Sequence, residues 1–124
     1  MAATVRQANR GDIPAIDDTG RGWVVEESGT VVAFAIGNKL TGNIWALFAD
    51  PEHEALGYGR RLHEVMVSWL FSHDLPRLWL STGVGTRAQR FYEAAGWRLA
   101  AVPAVGEAMY ELINPATPQH LRRQ

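Results

Sequence analysis

The sequence predicts an α+β fold in which a mixed, mostly antiparallel sheet is flanked by helices. First, apolar residues recur at helical spacing between residues 59 and 73, which is typical of an amphipathic helix packed on a sheet. Second, Ser28-Gly29 is a two-residue connection between two apolar runs and is suited to a tight hairpin. Third, residues 98–112 have the pattern of a closing hairpin.

Each element follows from its own local pattern. Strands are expected at residues 4–8, 23–27, 30–36, 43–49, 78–81, 98–102 and 107–112. Helices are expected at residues 59–73 and 87–95, with a helical turn at most at residues 12–17, and Gly96 is a natural helix stop. The buried stripe of the first helix is Leu62, Val65, Met66, Trp69 and Leu70. His63 and His73 are expected at surface or edge positions.

Length and composition indicate one small globular domain. The chain has 124 residues, 47% of them hydrophobic, so we expect a single domain over residues 1–113 and a flexible tail over residues 114–124. No apolar run approaches the roughly 18 to 20 residues that a membrane span needs. The sequence contains no cysteine and has no signal-peptide pattern at its start, which favours a cytoplasmic protein. The formal net charge of −1 argues against nucleic acid or an anionic membrane as a partner.

The segment from residue 50 to residue 62, DPEHEALGYGRRL, predicts a phosphate-binding turn. It joins an apolar strand to an amphipathic helix through Gly57 and Gly59. Glycine lets the backbone approach an anion, and the first N–H groups of a helix have no partner inside it. A dinucleotide fingerprint is disfavoured because Leu62 stands where a third glycine is needed, and a P-loop because Lys39 is the only lysine.

Two ordered motifs then resemble one family. Residues 54–59, EALGYG, are similar to the pyrophosphate loop Q/R-x-x-G-x-G/A of the GCN5-related N-acetyltransferase (GNAT) superfamily. Residues 77–97, RLWLSTGVGTRAQRFYEAAGW, resemble its later signature, a strand and loop followed by a helix with R-A-x-x-F-Y that ends at G-F or G-W. Residues 5–8 and 11–16 also match a common start of the family, so the resemblance spans nearly the whole chain and implies the GNAT-like fold.

The resemblance implies transfer of an acetyl group from acetyl-CoA, a cosubstrate, to an amine acceptor. It assigns main-chain groups of Leu47, Phe48 and Ala49 to the pantetheine amides. It assigns the pyrophosphate to Leu56, Gly57, Tyr58, Gly59, Arg60 and Arg61. Gly85 stands where many relatives have an asparagine beside the cofactor arm. Tyr92 matches the tyrosine that protonates the departing thiolate, because a CoA thiol of ordinary pKa about 8.5 leaves more easily with an acid nearby.

Other features depart from the family pattern or leave its details open. Glu54 replaces the usual glutamine or arginine, and Leu56 replaces a basic residue, so CoA binding is expected to be weaker. A general base is not identified: the candidates are Glu26, Glu27, Asp50, Glu52, His53 and Glu107. The acidic residues near His53 lack the spacing of a metal site, so no metal is expected.

The segment between the first two strands is too short for the two helices that relatives carry there. We therefore expect an open acceptor groove, or one completed by a second subunit in a homodimer. The acceptor is a small molecule or a peptide or protein amine. Two alternatives to an enzyme are a non-catalytic acyl-CoA binding or sensing module and an interaction subunit.

Overall fold

The computed structural model describes residues 3–9, 19–50 and 56–116 of the chain. The chain divides into two compact units, Met1–Asp74 and Leu75–Gln124. In the first unit lie β1 (Thr4–Gln7), β2 (Gly20–Glu27), β3 (Thr30–Asn38), β4 (Ile44–Ala49) and α1 (Tyr58–Phe71). In the second lie β5 (Arg77–Gly83), α2 (Arg87–Ala94), β6 (Arg98–Ala101) and β7 (Glu107–Ile113). The expected helical turn at residues 12–17 lies outside the described residues, and the single domain stays a prediction.

The sheet of the first unit is antiparallel, with strand order β1-β2-β3-β4. Its central hairpin turns at Ser28 and Gly29, whose φ values are 52° and 81°. Two successive left-handed residues match the turn type whose twist suits a two-residue hairpin, so the predicted connection is confirmed. The β3–β4 turn is closed by Asn38, whose Oδ1 accepts hydrogen bonds from the N–H groups of Leu40 and Thr41 at 2.9 and 3.1 Å.

Helix α1 packs against one face of this sheet. Leu62, Met66 and Leu70 are completely buried, as the apolar stripe predicts. The approach is close at Gly37, where an added Cβ would lie 2.8 Å from Cδ1 of Leu70. Two of the sequence expectations for this helix are wrong: Val65 is 39% exposed, whereas His63 is only 8% exposed. Both lie at the margins of the apolar stripe, where spacing alone does not decide burial.

The sheet of the second unit is also antiparallel, with β7 between β5 and β6. Its buried residues are Leu78, Leu80, Ala108 and Tyr110, and Trp97 is buried directly before β6. Gly96, with φ of 96°, follows α2 and confirms the predicted helix stop. Asn114 lies in the expected tail, yet it is buried and donates a 3.0 Å hydrogen bond from Nδ2 to the carbonyl of Leu75. The tail residues 117–124 lie outside the described residues.

Candidate active site

The outer edge of β4 exposes the main chain of alternate residues. The N–H of Asp50 donates a 2.8 Å hydrogen bond to the carbonyl of Val32, the residue opposite to it. In an antiparallel pair, hydrogen-bonded positions alternate, so the main chain of Phe48 is also directed at β3. The N–H and C=O groups of Leu47 and Ala49 therefore face away from β3. Because β4 is the last strand of its sheet, these groups lie along the edge at which no described strand pairs with β4.

The start of α1 has no side-chain cap. Gly57 occupies the N-cap position with φ of 78° and ψ of 15°, and no acidic residue lies in the first turn. The first intrahelical bond runs from the N–H of Arg61 to the carbonyl of Gly57 at 3.1 Å. The N–H groups of Tyr58, Gly59 and Arg60 precede that bond and point out of the helix. This arrangement is the one that favours an anion, because the positive end of the helix dipole adds to the donors.

A left-handed backbone at Gly57 is needed for this turn. Within the described ranges of the chain, no atom lies within 4 Å of the position that a Cβ would take at Gly57. Leu56 and the side chains of Arg60 and Arg61 are exposed beside it. The described part of the loop therefore fits a pyrophosphate group held by main-chain donors. Glu54, the expected repulsive residue, lies outside the described residues.

Tyr58, the middle residue of the Gly-Tyr-Gly motif, points away from solvent. It is buried, and its hydroxyl donates a 2.5 Å hydrogen bond to Oε2 of Glu27 at the end of β2. This bond to Glu27, together with burial, raises the pKa of Tyr58 above its usual value. Only the main chain of Tyr58 is thus suited to a ligand.

The candidates for a general base differ in their hydrogen-bond partners and in their exposure. Glu26 binds Arg6 at 3.1 Å, and Glu27 accepts the hydrogen bond of Tyr58. Asp50 follows β4 and is half-buried, while Glu107 is exposed at the start of β7. The remaining candidates, Glu52 and His53, lie outside the described residues.

Tyr92 lies on α2 and is only 6% exposed. Its ring packs edge-on against Phe91 and Trp97, with centroid distances of 5.4 and 5.5 Å. Burial raises the pKa of Tyr92 to about 12. No described residue makes a hydrogen bond with its hydroxyl, which is unusual for a buried phenol, because buried polar groups are normally paired. The Tyr92 hydroxyl is thus a protonated donor that lacks a protein acceptor among the described residues.

The β5–α2 loop is held by its own side chains. Thr86 caps α2 by accepting the N–H of Gln89 at 3.2 Å, and it donates to the carbonyl of Gly83 at 2.7 Å. Gly85 adopts φ of 80°, and its N–H donates to Oε1 of Gln89 at 2.7 Å. The N–H of Gly85 is therefore occupied by the protein itself.

Sequence reasoning missed Gln89, Glu93 and Tyr110. Nε2 of Gln89 donates to the Tyr110 hydroxyl at 2.9 Å, and that hydroxyl donates to Oε2 of Glu93 at 2.6 Å. The only local signal is the i, i+4 spacing of Gln89 and Glu93, which puts both on one helix face. Their partner on β7 could not be recognised from spacing along the chain.

The described part of the chain contains no group of side chains that could hold a metal ion and no helix that could span a membrane. Among these residues, no three histidine, aspartate or glutamate side chains are grouped so that they could hold a metal ion. Neither α1 nor α2 has the length and apolar character that crossing a bilayer requires.

The sequence matches the family model described as the acetyltransferase (GNAT) family over residues 3–97, a range that includes the α1 loop and Tyr92. The chain therefore belongs to the acetyltransferase (GNAT) family, and acetyl transfer is its class of function. Among curated proteins, none matches this sequence.

Solved structures confirm the predicted fold. The ribosomal-protein-S18-alanine N-acetyltransferase from Escherichia coli is 18% identical with a TM-score of 0.78, and the match covers 97% of this chain and 99% of that one. An acetyltransferase of the GNAT family from Staphylococcus aureus is 15% identical with a TM-score of 0.76, covering 90% and 99%. A Bacillus anthracis protein in complex with acetyl coenzyme A is 17% identical with a TM-score of 0.69, covering 81% and 65%. At these identities the likeness concerns the fold.

Proposed function

We propose that this chain transfers an acetyl group from acetyl-CoA to an amine by direct transfer. The amine nitrogen attacks the thioester carbonyl carbon, so that a C–N bond forms and the C–S bond breaks. The sulfur leaves as a thiolate that requires a hydrogen-bond donor, and the nitrogen loses a proton to water or to a base. The products are the acetylated amine and free CoA.

Main-chain groups are proposed to hold the cosubstrate. The turn at Gly57 and the uncapped start of α1 supply the N–H groups of Tyr58, Gly59 and Arg60 for the pyrophosphate. Leu56 and the exposed side chains of Arg60 and Arg61 lie beside them. Leu47 and Ala49 supply outward main-chain groups for the pantetheine amides. For Phe48 we propose no main-chain contact, because its groups are directed at β3. Gly85 is proposed to act through its lack of a side chain rather than through its N–H, which Gln89 occupies.

The buried hydroxyl of Tyr92, which has no hydrogen-bond partner in the described part of the chain, is the observation that carries the proposed chemistry. A phenol of pKa about 12 remains protonated at every pH where the protein would work. Complete proton transfer from it to a thiolate of ordinary pKa about 8.5 is uphill by roughly 5 kcal/mol. We therefore assign Tyr92 as the hydrogen-bond donor that stabilises the sulfur as the C–S bond breaks, the full proton arriving as the product leaves.

Binding is tested by calorimetric titration with acetyl-CoA, using a matched pair of variants. Gly57→Glu adds bulk and negative charge at the proposed pyrophosphate site. Gly29→Glu is the control, because Gly29 has a similar φ of 81° and equally open surroundings, so both changes carry the same backbone strain. We expect micromolar binding that is abolished only by Gly57→Glu. Equal binding by both variants would overturn the assignment of the loop.

Turnover is tested by following thiol release from acetyl-CoA across a panel of amines. The panel includes alanine-bearing peptides, since the Escherichia coli neighbour is named for an alanine of a ribosomal protein. Tyr92→Phe should lower kcat by about 10² to 10⁴ while acetyl-CoA binding is retained. Binding without turnover on every amine would instead support an acyl-CoA sensor.

The assembly and the compartment of the protein are also part of the proposal. We propose a homodimer in which a second subunit completes the acceptor groove, because only residues 8–19 separate β1 from β2. Sedimentation at micromolar concentration tests this, and a monomer alone would exclude it. We propose that the protein works in the cytoplasm.

A further inference from the structure

A chain of three side-chain hydrogen bonds runs beside Tyr92. It begins at the N–H of Gly85, which donates to Oε1 of Gln89 at 2.7 Å. It continues from Nε2 of Gln89 to the hydroxyl of Tyr110 at 2.9 Å, and from that hydroxyl to Oε2 of Glu93 at 2.6 Å. Both ends of the Gln89 amide and both roles of the Tyr110 hydroxyl are therefore used.

This chain attaches α2 to the centre of its sheet. Tyr110 is 1% exposed and lies on β7, opposite Leu80 on one side and Leu99 on the other. Gln89 and Glu93 lie one turn apart on α2, so the Tyr110 hydroxyl binds two successive turns of the same helix face. Two such bonds resist rotation of the helix about its own axis. The bond to Glu93 also raises the pKa of Tyr110, which keeps its hydroxyl a donor.

Tyr92 depends on this attachment because its own hydroxyl has no described hydrogen-bond partner. The outer end of a side chain lies roughly 5 to 6 Å from the axis of an α-helix, so a rotation of about 10° moves it by about 1 Å. Misplacement of a reacting group by about 1 Å can lower a rate about 100-fold. Packing against Phe91 and Trp97 restrains the ring, and the hydrogen bonds of Tyr110 to Gln89 and Glu93 restrain the rotation of the helix.

We infer that Gln89, Tyr110 and Glu93 are positioning residues that fix α2 and thereby the hydroxyl of Tyr92. The inference rests on the proposed function, in which that hydroxyl serves the leaving sulfur. These three residues affect the reaction only through the position of the Tyr92 hydroxyl.

The kinetic test is a double-mutant cycle on thiol release from acetyl-CoA, with the best amine of the panel. Tyr110→Phe removes only the hydroxyl and should lower kcat by about tenfold, with KM for acetyl-CoA unchanged. In the Tyr92→Phe background, the same change should cause no further loss, because there is no hydroxyl left to position. An undiminished tenfold loss in that background would overturn the inference.

The conservative partner variant separates positioning from general stability. Glu93→Gln keeps a carbonyl oxygen that can accept from Tyr110 and should retain most of the activity. Glu93→Ala removes the acceptor and should behave as Tyr110→Phe does. Because Glu93 is exposed, both variants are expected to fold. Equal activity of these two variants would contradict the positioning role.

A spectroscopic readout does not depend on turnover. The chain has three tyrosines, so a protein with ¹³C-labelled tyrosine rings gives three ring signals, and Tyr92→Phe assigns one of them. In Glu93→Ala, rotation of α2 should hydrate the Tyr92 phenol and make it titrate nearer to pH 10 than in the parent protein. An unchanged titration would overturn the inference.

These variants also distinguish failure of the proposed function from failure of the positioning role. If Tyr92→Phe retains full activity, the proposed role of Tyr92 fails, and the inference fails with it. If Tyr92→Phe is impaired but Tyr110→Phe acts additively, the proposed function stands and only the positioning role is excluded.

Discussion

The hydroxyl of Tyr58 donates a 2.5 Å hydrogen bond to Oε2 of Glu27, which joins the first residue of α1 to the last residue of β2. The two residues are 31 positions apart in the sequence. A hydrogen bond to a charged carboxylate is shorter and stronger than one between neutral groups. It restrains the helix start whose main-chain N–H groups are proposed to receive the pyrophosphate.

Removal of this bond should weaken cosubstrate binding. Tyr58→Phe is expected to lower the thermal unfolding midpoint by a few degrees and to weaken acetyl-CoA binding several-fold, because the helix start loses its anchor. Glu27→Gln keeps an oxygen acceptor and should retain most of the affinity. Calorimetric titration of the two variants measures the difference, and unchanged affinity in Tyr58→Phe would exclude the anchoring role.

The contact of α1 with the sheet should be sensitive to a single methyl group. In Gly37→Ala, the new Cβ lies 2.8 Å from Cδ1 of the fully buried Leu70, so we expect the free energy of unfolding to fall by about 1 to 3 kcal/mol. Leu70→Ala alone should cost about 2 to 5 kcal/mol through the cavity it leaves. The double variant should lose less than the sum, because the added methyl occupies part of that cavity. Urea denaturation tests this, and strict additivity would contradict it.

The raised pKa of Tyr92 predicts a loss of stability in alkali. The unfolded phenol has a pKa of 10.0 and the folded one about 12, so burial favours the protonated form. The stabilising contribution of this difference is present below pH 10 and is lost as the pH rises toward 12. Relative to Tyr92→Phe, which cannot ionise, the parent protein should lose roughly 2 to 3 kcal/mol over this range. Urea denaturation between pH 9 and pH 11.5 measures the free energy of unfolding of both proteins. The same dependence on pH in the two proteins would contradict the burial of the hydroxyl.

The lowered pKa of His63 predicts a loss of stability in acid. Burial lowers the pKa of His63 below 6.5, with a smaller opposing effect from Glu64. Protons therefore bind His63 more readily in the unfolded chain than in the folded protein. The buried, neutral imidazole thus contributes to stability above pH 6.5, and this contribution is lost as the pH falls through the folded pKa. His63→Gln should flatten the decline in stability between pH 7 and pH 5. His73→Gln, at an exposed histidine just beyond the same helix, should leave the decline in place.

Local patterns were sufficient for most of the secondary structure. The predicted helix at residues 59–73 is observed as Tyr58–Phe71, and the predicted strand at 30–36 as Thr30–Asn38. These elements could be anticipated because apolar spacing and turn residues act within a few positions of one another. The same reasoning failed for His63, because its burial depends on where α1 meets the sheet.

The strand register shows why the site was harder to anticipate. Leu47, Phe48 and Ala49 are equivalent as a sequence run, yet the pairing of β4 with β3 directs the main chain of Phe48 inward and that of its neighbours outward. That register includes an irregularity between Ile36 and Gly37, and a shift of one residue would reverse the assignment.

The order of amino acids alone predicted the family and the glycine turn before α1, and it singled out Tyr92 as a candidate, because each depends on residues close together in the chain. Three-dimensional packing established that the Tyr92 hydroxyl lacks a described partner, that Tyr58 binds Glu27 and that Gln89 binds Tyr110. Those two bonds join residues 31 and 21 positions apart. Hydrogen bonds of 2.5 to 2.9 Å require atomic positions that only the packed sheets and helices define.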